Sequence, residues 1–188
     1  MTRSIDNNIG ITRSSPTMGW HTSALFVRNR SIGDVVGFLP DVFTYEPTSE
    51  QVSGDWGWGC HSGDRLYLAE KGGWAQLWDP DCRFVPRLES LIATDGPGPL
   101  KETQALAVAF SDVAFSLYDD GELIRHVAFS GRETVADHGA PLPVEGRIAL
   151  PSWGPDESFL WSVIEDVTGV EGDFDQLFDV YDVVVGQE

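Results

Sequence analysis

The chain has 188 residues, 41% hydrophobic and 11% aromatic, and a formal net charge of −18 from 30 acidic and 12 basic residues. That size and apolar content fit one globular domain with its own core and exclude a disordered acidic tail. The deficit of cations argues against a direct grip on a phosphate backbone and favours attraction to basic partners.

Residues 1–18, rich in Ser, Thr and Asn without periodicity, read as a mobile leader ahead of a single domain over 19–188. The leader lacks the apolar run of a signal peptide, and no stretch approaches a membrane span. Two cysteines do not make a disulfide framework, so a cytoplasmic protein is the expectation. Order begins near Gly19, and Ala24 to Val27 form a short apolar run suited to a buried strand. Ser31 then caps a short helix carrying Ile32, Val35, Val36 and Leu39, which Pro40 stops. "DRLYLAEKGGWAQLWD" reads as a hairpin turning at Gly72-Gly73. A helix starting at Pro86 follows, with Leu88, Leu91 and Ile92 on one face, and "DGPGP" ends it.

The second half holds the clearest strands. "TQALAVAF" leads into "VAFSLYDDGELIRHVAFSG", where Asp120-Gly121 is the strongest hairpin signal. Pairing across that turn sets Tyr118 opposite Leu123 and Phe115 opposite His126. Alternation then puts Phe115, Leu117, Ile124 and His126 on one face. Residues 133–155 read as an irregular crossing spaced by prolines. A helix capped by Asp156 turns Phe159, Leu160, Val163, Ile164 and Val167 inward. The element order predicts an α+β domain: a mainly antiparallel sheet with helices packed on one face.

Over "SDVAFSLYDDGELIRHVAFSGRETVADHGAPLPVE" the chain resembles a family of uncharacterised actinobacterial proteins, a domain of unknown function. The resemblance lies in an aromatic strand, the Asp-Gly turn, a "GxLxR" return strand and a later "GxPLPxE" segment, within residues 111–145. "TSALFV" and "GWGCHSGDRLYL" are weaker matches to the same family. The resemblance implies an α+β fold and a bacterial cytosolic setting, and it implies no activity.

Cys60 and His61, in "GDWGWGCHSGD", are the candidates for a nucleophile and its base. "GWGC" also resembles the motif around the nucleophile of autophagy-type cysteine peptidases, where the cysteine opens a helix. Here a turn and a strand follow, without the amide dipoles that favour a thiolate. In an extended segment His61 points away from Cys60. The hairpin brings Cys60 back toward Cys82, the arrangement of two packing cysteines. Neither CxxC nor HxxxH occurs, and "EGDFDQLFD" lacks the ligand alternation of a calcium loop, so no metal and no cofactor is expected. His126 reads as a histidine of the sheet face, and His21 carries no signal.

From Ile148 to Glu188 there are ten acidic residues and not one Lys, Arg or His. Read as a helix, "DFDQLFDVYD" gathers Phe174, Leu177, Phe178 and Tyr181 on one face, with Asp175, Asp179 and Asp182 opposite. Like charges at that spacing repel, and Asp late in a helix opposes the macrodipole, so a basic partner accounts for the pattern. The following "VVV" favours a strand. Trp161, between Glu157 and Glu165, has the composition of an interface hot spot, or packs under "PSWGP". The leading expectation is a non-catalytic acidic protein that neutralises a basic protein partner, as immunity proteins and antitoxins do. Its surface is Glu157, Trp161, Glu165, Asp175, Asp179 and Asp182. The alternatives are a DNA-mimic inhibitor of a nucleic-acid-binding protein and a cysteine-dependent hydrolase built on Cys60.

Overall fold

A computed structural model describes residues 21–40, 43–54, 64–84, 100–172 and 175–185. Its elements are β1 (Ser23–Arg28), α1 (Ile32–Val36), β2 (Phe43–Ser53), β3 (Arg65–Lys71) and β4 (Trp74–Asp79). These are followed by β5 (Gln104–Ala109), β6 (Ala114–Asp119), β7 (Glu122–Ser130), β8 (Glu133–His138), α2 (Glu157–Thr168) and β9 (Leu177–Val185). Among the described residues nine strands join one sheet in the order β2-β9-β3-β4-β1-β5-β6-β7-β8, and every neighbouring pair is antiparallel. The fold is therefore dominated by its sheet.

β1 occupies the centre, between β4 and β5, which is why "SALFV" is apolar on both sides. Ala24 and Phe26 join a core with Trp78, Leu106, Phe115 and Phe178. Leu25 and Val27 join a second core with Leu68, Leu77, Ala107 and Val183. The two described helices seal different cores. α2 sends Phe159, Leu160, Val163 and Ile164 into the first, and α1 sends Val35 into the second. The expected single helical face is corrected accordingly: a sheet apolar on both sides needs cover on both.

Local signals set the helices well. Ser31 accepts from the Asp34 amide, and the Asp34 carboxylate accepts from the Ser31 amide at 2.9 Å, a reciprocal cap that starts α1. The bonds that the Asp34 carboxylate accepts from the Ser31 amide and hydroxyl hold its pKa below the ordinary value. Asp156 caps α2 by accepting from the Ser158 amide at 3.0 Å, and Gly169, with φ of 68°, ends it in the left-handed region.

Three expected elements change. Glu133–His138, expected as irregular crossing, is the edge strand β8. β2, which carries no strand pattern strong enough to read, forms the other edge; it holds Pro47, tolerated because an edge strand has unpaired amides. The expected C-terminal helix is the strand β9, inserted between β2 and β3. Its β-branched valines suit a strand, and partners more than a hundred residues away supply the pairing. The helix expected from Pro86 lies outside the described residues.

Candidate functional site

The register of the β6–β7 hairpin decides which side chains meet. Tyr118 pairs with Leu123 as expected, but Leu117 pairs with Arg125, leaving Ile124 as one extra residue on β7. This bulge moves every residue beyond it to the opposite face. Phe115 therefore faces Val127, and His126 pairs with Ser116 on the α1 side of the sheet. The expected common face of Phe115, Leu117, Ile124 and His126 is corrected by that single residue.

Arg125 is turned into the α2-side core, only 2% exposed. Its Nε and Nη2 donate to the two carboxylate oxygens of Glu145 at 2.9 and 2.7 Å, a bidentate pair. Nη1 donates to Asp137 and to the carbonyls of His138 and Gly139, the last two at 3.0 and 3.3 Å. Glu145 also accepts from the Leu142 amide at 2.7 Å. The hydrogen bonds to Glu145, more than any other cause, push the guanidinium pKa further up. The Arg closing "GxLxR" and the Glu closing "GxPLPxE" are thus the two ends of one buried ion pair. It ties the 140–150 crossing to the sheet.

Gly139 completes this knot. Its φ is 78°, and a Cβ there would lie 2.0 Å from the Ile124 carbonyl oxygen at the bulge. Gly139→Ala is expected to cost about 2–3 kcal/mol through left-handed strain and overpacking, measured by urea unfolding. An unchanged midpoint would mean the bulge and the crossing are not in contact.

On the other side of β7 lies a polar row. Ser116 Oγ and His126 Nδ1 are 2.8 Å apart, and His126 pairs in register with His138. Ser and His are nucleophile and base by type, yet among the described residues no carboxylate meets His126 to orient it. Also among the described residues, no group of three or more His, Cys, Asp or Glu converges as a metal cage.

The residues expected to form a partner surface do not come together as one helical face. Asp182 lies on the α2 side and bonds Arg65 at 3.1 Å, while Arg65 also bonds Glu50 at 2.9 Å. Asp179 lies on the α1 side and accepts from Gln51 at 2.8 Å. Trp161 is half-buried: its ring stacks on Trp78 with centroids 5.7 Å apart and meets Phe110 at 5.6 Å. Its inner side thus packs against the α2-side core. Glu157 is half-buried at the start of α2, and Asp175 is exposed before β9.

Glu165 is exposed on α2 and borders an open groove of about 710 Å³ between that helix and residues 144–149. Val144 and Ile148 line the groove's apolar part; Ser162, Glu165 and the Arg147–Asp166 ion pair line its polar part.

Cys60 and His61 lie outside the described residues. Cys82 is a free thiol, and burial pushes its pKa up, opposite to the need of a nucleophile. Among the described residues no helix is long and apolar enough to cross a membrane.

The chain matches no model of a known protein family, no curated protein and no solved structure. Sequence reasoning missed the Arg125–Glu145 pair and the Ser116–His126–His138 row. The first had a usable signal, since "GxLxR" and "GxPLPxE" each end on a charge within otherwise apolar or turn residues. The second depends on the bulge, which leaves no local mark.

Proposed function

We propose that the protein is a non-catalytic binding protein whose acidic region engages and neutralises a basic protein, as immunity proteins and antitoxins do. One observation carries this reading: residues 148–188 hold ten carboxylates and no cationic side chain, and one of these carboxylates, Glu165, lines the α2 groove. A lysine or arginine of the partner suits that groove, its aliphatic stem against Val144 and Ile148 and its charge at Glu165. Asp179 and Asp182 are assigned instead to holding the sheet, since Gln51 and Arg65 already occupy them. Glu157, Trp161, Glu165 and Asp175 remain the proposed surface, with Trp161 contributing through its exposed edge.

The geometry favours neither alternative. Mimicry of DNA needs one row of carboxylates, and β9 places Asp179 and Asp182 on opposite faces. A hydrolase on Cys60 gains nothing from the described residues. A bacterial cytosolic setting, implied by the resemblance to an actinobacterial family, is part of this proposal, and the resemblance implies no activity.

The reading is tested by capture from the native host with wild type and with a Glu165→Lys/Asp175→Lys variant. A basic protein should be retained by wild type, released by salt and lost from the variant, whose melting temperature stays within a few degrees. Retention indifferent to the two reversals, or no basic protein retained, overturns the reading.

A further inference from the structure

We propose that His126 and His138 form a two-imidazole site for a divalent transition ion of the imidazole-preferring class, with Ser116 as positioning residue. The two histidines are register partners on antiparallel strands, so both rings leave the same face of the sheet. Directly opposed residues hold their Cβ atoms roughly 4.5–5.5 Å apart, a spacing from which two imidazoles converge on one ion. Imidazole pairs suit Ni²⁺, Cu²⁺ and Zn²⁺.

Three features of the surroundings prepare the site. Ser116 Oγ lies 2.8 Å from His126 Nδ1, and in the tautomer that ligates through Nε2 it accepts the Nδ1 proton. This is the outer hydrogen bond that metal-bound histidines commonly make. The backbone at His138 is fixed from the opposite face by the donation of buried Arg125 to its carbonyl at 3.0 Å. Ala107 pairs with Ser116, and Ala128 pairs with Ala136 beside the histidines, so small side chains floor the site. The net charge of −18 adds a general attraction for cations. Two protein ligands leave the other coordination positions to water or a second molecule.

Ni²⁺ titrated into the whole chain, followed by calorimetry and by NMR line broadening, tests this site. One ion should bind per chain, with broadening centred on residues 126 and 138. His126→Asn and His138→Asn should each weaken binding at least about tenfold, and the double variant should abolish it. Ser116→Ala should weaken binding by about tenfold at unchanged stoichiometry, and Ser116→Thr should restore it. A His21→Asn/His61→Asn variant should bind as wild type does. His138 is exposed, so its variant keeps the fold and tests the site on its own. No Ni²⁺ binding, binding that survives the double variant, or binding lost with His21 and His61 overturns the proposal.

Discussion

Glu145→Ala is expected to destabilise the protein by about 3–5 kcal/mol, because it strands a buried guanidinium without its bidentate partner. Arg125 is 2% exposed and Glu145 12%, so water cannot take over the lost contacts. Asp137 is the instructive contrast. It bonds the same guanidinium, but its side chain is 60% exposed, and Asp137→Asn should cost at most about 1 kcal/mol. The double variant Arg125→Met/Glu145→Leu should recover most of the loss, since hydrophobic replacement of a buried ion pair is often neutral or stabilising. Urea unfolding of wild type and the three variants measures these changes. If Glu145→Ala unfolds at the wild-type midpoint, the ion pair is not closed in solution.

Trp78→Ala should cost about 3–5 kcal/mol, the usual range for emptying a fully buried aromatic site. Trp78 is 0% exposed and sits where the sheet meets α2: its ring takes Phe26 edge-on at 5.9 Å and Trp161 stacked at 5.7 Å. A double-mutant cycle with Trp161→Ala should show coupling of about 0.5–1.5 kcal/mol, as for other aromatic pairs. The cycle also separates two roles of Trp161. Loss of stability marks it as a core residue, whereas an unchanged melt with loss of partner capture marks it as an interface residue alone.

Elements that depend on their own residues were legible from the chain. The caps at Ser31 and Asp156 and the turns at Gly72-Gly73 and Asp120-Gly121 are local chemistry, and each stands where the residues place it. Features that depend on distant partners were not. The apolar and acidic residues of β9 match a helical period by chance. Only pairing with β2 and β3 shows that Asp182 answers Arg65 and Asp179 answers Gln51. At the candidate sites, one unpaired isoleucine moved His126 from the expected apolar face to Ser116, and exchanged it for Arg125. Bulges follow from strain and twist across a pair of strands, and the residues of one strand alone do not announce them.

The place of β9 in the sheet has a temporal consequence. It is synthesised more than a hundred residues after β2 and β3, the two strands it separates. Until it arrives, β3 is an open edge and β2 has no neighbour, so that half of the sheet cannot close while β5 to β8 can pair as they emerge. Such distant pairing is slow to form, because the loop must close before any contact rewards it. Refolding is therefore expected to proceed from the β4–β8 side toward β2, with β9 acting as the strand whose arrival joins the two parts of the sheet.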